Sequence, residues 1–129
     1  MGMRASRAVR GFFVGALLGA LSASAWAAPP PQAQREIEQL IAALGASRCE
    51  FQRNGTWYSA TDAQAHLQRK YDYLRKRDLV DTAEQFIERA GTQSSMSGKA
   101  YSVRCPGKAA VPSAQWLGGR LSALRHATP

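Results

Sequence analysis

The residues with the most chemical reach fall in two stretches. Ser94, Ser95 and Ser97 crowd one loop with Lys99, and His66 is one of two histidines in the chain. A serine hydroxyl becomes a nucleophile when a base takes its proton. His66 suits that role, and Glu84 is the carboxylate offered beside it. The patterns that carry such chemistry are missing, however. No GxSxG elbow is present, and the residue three before Lys99 is Met96, not the serine of an SxxK pair. The weak catalytic candidates are therefore His66, Glu84, Ser94 and Ser95, and the sequence leans toward a protein that is not an enzyme. The milder chemistry is recognition. Hydroxyls, the Ser97 and Gly98 amides and the Lys99 ammonium could hold an anionic or sugar group. Against this stands a plainer reading, in which the hydroxyls close local turns on their own backbone. The binding candidates are Trp57, His66, Lys70, Ser94, Ser95, Ser97 and Lys99.

Two further chemistries are set aside. His66 and His126 have no ligand-type partner at metal spacing, and no HExxH or CxxC occurs, so no metal and no cofactor is expected. Gly98-Lys99 ends a stretch that superficially looks like a phosphate loop. Its first glycine, Gly91, lies two residues too far away, and Ala100 stands where Ser or Thr must hold magnesium.

The chain that must position these residues begins with an address. Arg4, Arg7 and Arg10 precede an apolar run from Gly11 to Leu21, and Ala25-Trp26-Ala27 supplies the small residues read by signal peptidase. Residues 1–27 are expected to be a signal peptide, cleaved after Ala27, which sends the protein to the periplasm and leaves no transmembrane segment in the mature chain. The net charge is +8 overall, and the remainder carries 14 basic and nine acidic residues, a net +5. Mixed signs along the chain argue for a solvated surface and against a nucleic-acid partner. An envelope polymer or a periplasmic protein is the expected partner class; the sequence does not fix the oligomeric state. Cys49 and Cys105 are the two cysteines. In an oxidising compartment they are expected to form one disulfide. Closing so long a loop is worth about 4 kcal/mol in the chain-entropy account.

In chain order, residues 28–33 read as a Pro-rich tether, and residues 34–129 as a single domain. Ile37, Leu40, Ile41 and Leu44 form one helical stripe, with Gly45 as its C-cap. Asn54-Gly55 signals a tight hairpin that sets Phe51 opposite Tyr58 and Gln52 opposite Trp57. Cys49, Phe51 and Tyr58 then share one face. Trp57 lies on the other face, where a helix is expected to cover it. Thr61 to Gln64 reads as a capping box for a helix reaching Arg77. Ala63, Leu67, Tyr71 and Leu74 form the buried row of that helix, and His66, Lys70 and Tyr73 the row beside it. Asp81, with Glu84 three residues on, caps a short helix carrying Phe86 and Ile87 and ending at Gly91. Tyr101, Val103 and Cys105 alternate as a third strand. Ser113 caps a last helix with Trp116, Leu117, Leu121 and Leu124. The expectation is an α+β fold: a small antiparallel three-stranded sheet, made of a hairpin and a third strand, with about four helices on one face.

The wording of the chain is also distinctive. Arg53-Asn54-Gly55, then Ala65-His66-Leu67 with Lys70, then Asp81 to Ile87 (DTAEQFI), then Ser94, Ser95, Ser97-Gly98-Lys99, Tyr101 and Val103 resemble the YfeK-like family of small exported bacterial proteins. The resemblance covers about Ile37 to Cys105. It implies export to the periplasm and a single α+β domain of unknown function. It assigns no catalytic residue.

Overall fold

The computed structural model describes residues 29–127 and, ahead of them, the isolated glycines 2, 11, 15 and 19; the expected signal peptide lies outside this described stretch. The first helix, α1 (Pro31–Ala46), starts earlier than periodicity suggests. Pro31 takes its first turn, where proline has no amide to lose and its fixed φ is already helical. Residues 31–33 thus belong to the helix and not to a tether, and Ala33 is buried. Gly45 is not the C-cap: the helix runs past it to Ser47. The glycine serves close approach instead, since a Cβ there would sit 2.1 Å from Gln64 Oε1.

β1 (Glu50–Arg53) and β2 (Thr56–Tyr58) form the hairpin with the expected register, Phe51 to Tyr58 and Gln52 to Trp57. Asn54 and Gly55 have φ of 50° and 81°, the left-handed pair that a primed turn requires. α2 (Ala60–Lys76) follows at once. Its N-cap is Ser59, whose hydroxyl accepts from the Asp62 amide, so the expected Thr61 cap is displaced by two residues. α3 (Ala83–Ala90) is capped by Thr82, one residue after the expected Asp81, with its hydroxyl accepting from Gln85 N. Gln85, not Glu84, then reaches back to the Asp81 amide. In both cases a neighbouring hydroxyl in extended conformation supplies the oxygen that the first turn needs.

β3 (Ser102–Arg104) pairs antiparallel with β1, and β4 (Val111–Pro112) pairs with β3. The sheet therefore has four strands, in the order β2-β1-β3-β4, where three were expected. β4 is two residues long and ends in proline, too short to show an alternation, and it occupies the edge where proline is tolerated. α4 (Ser113–Ala127) closes the chain. Ser113 is its first residue; the hydroxyl is buried without a hydrogen-bond partner and caps nothing.

Period-two parity divides the sheet. Cys49, Phe51 and Val103 are buried on the helix side with the α1 stripe, Leu67, Tyr71, Phe86 and Leu117. Cys49 and Cys105 form the expected disulfide, which ties the residue before β1 to the residue after β3. Gly91 lets α4 come close: a Cβ there would meet Leu117 Cδ1 at 2.4 Å. Among the described residues no helix is long and apolar enough to cross a membrane.

Candidate functional site: a cationic cleft around Tyr101

Three elements meet beside the hairpin. β1 ends at Arg53, whose parity with Cys49 and Phe51 turns it toward α2, and its guanidinium lies over the Tyr58 ring at 5.0 Å. α2 contributes His66, Arg69, Lys70 and Tyr73. The loop after α3 contributes Ser94, Ser95 and Met96. With Asn54, Leu74, Arg89 and Tyr101 these residues line an open cleft of about 490 Å³.

Its floor is a polar cluster centred on Tyr101, which is buried. Arg53 Nη1 lies 3.0 Å from His66 Nδ1, His66 Nε2 lies 3.1 Å from Tyr101 Oη, and Lys70 Nζ donates to the same oxygen at 3.2 Å. Arginine can only donate, so His66 Nδ1 accepts and the ring proton sits on Nε2, which donates to the phenol. The two lone pairs of Tyr101 Oη are thereby used. Its own hydrogen is left to be donated elsewhere. Lys70 also donates to the Gln93 carbonyl at 3.1 Å. Burial, reinforced by Arg53, Lys70 and Arg69, pushes the His66 imidazolium down to about 4, so the ring is neutral at physiological pH. Burial and Arg53 lower the Lys70 ammonium. Burial raises the Tyr101 phenol, with Arg53 opposing.

The charge of the cleft is unbalanced. Arg53, Arg69, Lys70 and Arg89 line it, and no Asp or Glu does. Among the described residues none of the four is in an ion pair. Arg89 donates to the Leu79 carbonyl.

The residues expected from sequence are sorted by this geometry. His66, Lys70, Ser94 and Ser95 share the cleft. Both nitrogens of His66 are engaged by Arg53 and Tyr101, not by a serine. The buried Ser94 hydroxyl accepts from the Met96 and Ser97 amides, a local turn of the kind such residues form. Ser97 Oγ accepts from the Lys99 amide and donates to Asn54 Oδ1, which fastens the loop to the hairpin tip. Lys99 does not line the cleft. Glu84 lies elsewhere, between α3 and α4, bonded to Arg125, which lowers its pKa. Trp57 is on the outer sheet face; the Arg104 guanidinium, 4.0 Å from its ring centroid, covers it in place of the expected helix. Arg53, Arg69, Arg89 and Tyr101 were not among the expected site residues. Strand parity was the available signal for Arg53 and Tyr101, since each continues an inward row. Among the described residues no group of three or more His, Cys, Asp or Glu could hold a metal ion.

Comparison with known proteins adds a family. The model of a family of unknown function, DUF5329, matches residues 31–125. The uncharacterized protein YfeK of Salmonella typhimurium is 37% identical over 82 residues, covering 63% of this chain and 67% of that protein. No solved structure matches. The match spans α1 through most of α4, the cleft included, and the chain belongs to the DUF5329 family.

Proposed function

We propose that this chain is a non-catalytic binding protein of the periplasm, and that it holds an anionic group of an envelope component in the cleft floored by Tyr101. The observation that carries the reading is the convergence of Arg53, Arg69, Lys70 and Arg89 on one cleft without a carboxylate. Cations bonded only to neutral groups, with no carboxylate to balance them, favour an anion brought from outside. Arginine's planar fork suits phosphate or carboxylate oxygens. The geometry gives the alternative, a hydrolase or transferase using His66 with a serine, no support, because the histidine nitrogens and the Ser94 oxygen have other partners.

The test is calorimetric titration of the purified chain with inorganic pyrophosphate at two ionic strengths. Single-site binding that weakens with salt is expected. Removing a charge-assisted bond costs about 1.5–3 kcal/mol, so Arg69→Gln and Lys70→Gln should each weaken binding by roughly tenfold or more. Absence of binding at millimolar pyrophosphate would sink the reading. Export is tested separately by N-terminal sequencing of the chain from a periplasmic fraction. A first residue of Ala28 is expected; an intact Met1 terminus contradicts it.

A further inference from the structure

The cleft has a second chemistry beside its charge. Three large apolar side chains among the described residues are exposed: Tyr73 at 54%, Leu79 at 43% and Met96 at 95%. Scattered singly over a surface, such residues need no explanation. Here two of the three, Tyr73 and Met96, share one cleft. Tyr73 and Met96 line the cleft with Leu74, and the carbonyl of Leu79 receives the Arg89 guanidinium, one of the cleft's four cations.

Their placement is built by the local fold. Tyr73 follows Lys70 by about one helical turn on α2, so both leave the same face of the helix and reach the one cleft. Arg77 stacks on Tyr73 at 3.7 Å from the ring centroid and steadies that ring. Met96 sits in the turn that Ser94 fixes by accepting from the Met96 and Ser97 amides, and the Ser97–Asn54 bond anchors the same turn to the hairpin. The thioether is thus held in water by an ordered loop. A flexible, polarizable side chain in that position adapts to an apolar ligand of irregular shape. A ligand consisting of charge alone would leave Tyr73 and Met96 in water.

Resting on the anion-binding reading above, we infer that the ligand is an anionic amphiphile. Its phosphate-bearing headgroup sits on Arg53, Arg69 and Lys70, and its hydrocarbon chain lies over Tyr73, Leu74 and Met96. The occupant is a single lipid-type phosphate, and charge complementarity at one end with exposed apolar side chains at the other selects it over a free phosphate.

The test compares n-octyl phosphate, inorganic phosphate and octyl glucoside, each titrated calorimetrically into the purified chain below the micelle concentration. Octyl phosphate is expected to bind at least tenfold more tightly than inorganic phosphate, and octyl glucoside more weakly than octyl phosphate. The double variant Tyr73→Ser with Met96→Ser, folded as judged by its melting temperature, should collapse the tenfold difference to threefold or less. Equal binding of octyl and inorganic phosphate overturns the amphiphile and leaves the anion site standing. Octyl glucoside binding as tightly as octyl phosphate overturns it as well, since the chain alone would then suffice. If neither phosphate binds, the anion reading fails too.

Discussion

Two charged clusters in this domain differ in what surrounds their arginines. At one, Arg125 of α4 bonds Glu36 of α1 through Nε and Nη2, at 2.8 and 3.1 Å, and Glu84 of α3 through Nη1. The two carboxylates raise the Arg125 pKa, and its positive charge is fully compensated. At the other, Arg53, Arg69, Lys70 and Arg89 face one cleft with no carboxylate among them, and the neutral His66 and Tyr101 form its floor. The first cluster joins helices. The second keeps the charges of Arg53 and Lys70 in a partly desolvated place, a cost in stability that, on the function proposed above, an anion would offset. The basic residues thus stand in two different settings, and the partners around them make the difference.

The comparison can be broken at several strengths. The largest effect falls on the strands behind the cleft. Cys49→Ala with Cys105→Ala unties β1 from β3, and a loss of about 2–5 kcal/mol is expected in urea denaturation. A loss below about 1 kcal/mol would mean that these strands stay together without the bond. Next comes the floor itself. Tyr101→Phe keeps the packing with Phe51, whose ring centroid is 4.8 Å away, but strips His66 and Lys70 of their shared acceptor. A cost of about 1–3 kcal/mol is expected from the same denaturation experiment, and no change would deny the cluster its cohesion.

A smaller effect is pH-dependent. The unfolded chain takes up the His66 proton near 6.5, whereas the folded chain resists it until about 4. The unfolded state therefore binds more protons in that window, so stability is fully present above 6.5 and declines as pH falls toward 4. The ring is only half-buried, which reduces the slope. His66→Gln should flatten it, and an unchanged profile would remove His66 as its source. The smallest effect belongs to the compensated cluster. Arg125→Gln breaks an exposed pair with Glu84 and a bidentate pair with the less exposed Glu36, and should cost about 1 kcal/mol, with anion binding unchanged.

Much of the fold was legible because it rests on local rules. The α1 stripe, the Asn54-Gly55 turn with its register and the buried row of α2 follow from periodicity and from the need for positive φ. Boundaries moved where two candidate caps were neighbours, as with Ser59 against Thr61 and Thr82 against Asp81. β4 escaped because two residues carry no period. The site was half legible. The row of His66, Lys70 and Tyr73 was visible as helical spacing, but its meaning depends on Tyr101, which is 35 residues from His66. Long-range pairing of that sort leaves no local signature. Trp57 misled because size suggested burial under a helix, and an arginine from the next strand but one covers it instead.

The central claim is that the uncompensated cluster, and not the compensated one, receives an anion. Amide resonances of the labelled chain followed during titration with inorganic pyrophosphate test it most directly. Saturable shifts are predicted at Arg53, Arg69, Lys70, Ser95 and Tyr101, with Glu36, Glu84 and Arg125 still. Shifts of equal size at both clusters, or none at the cleft, would contradict it.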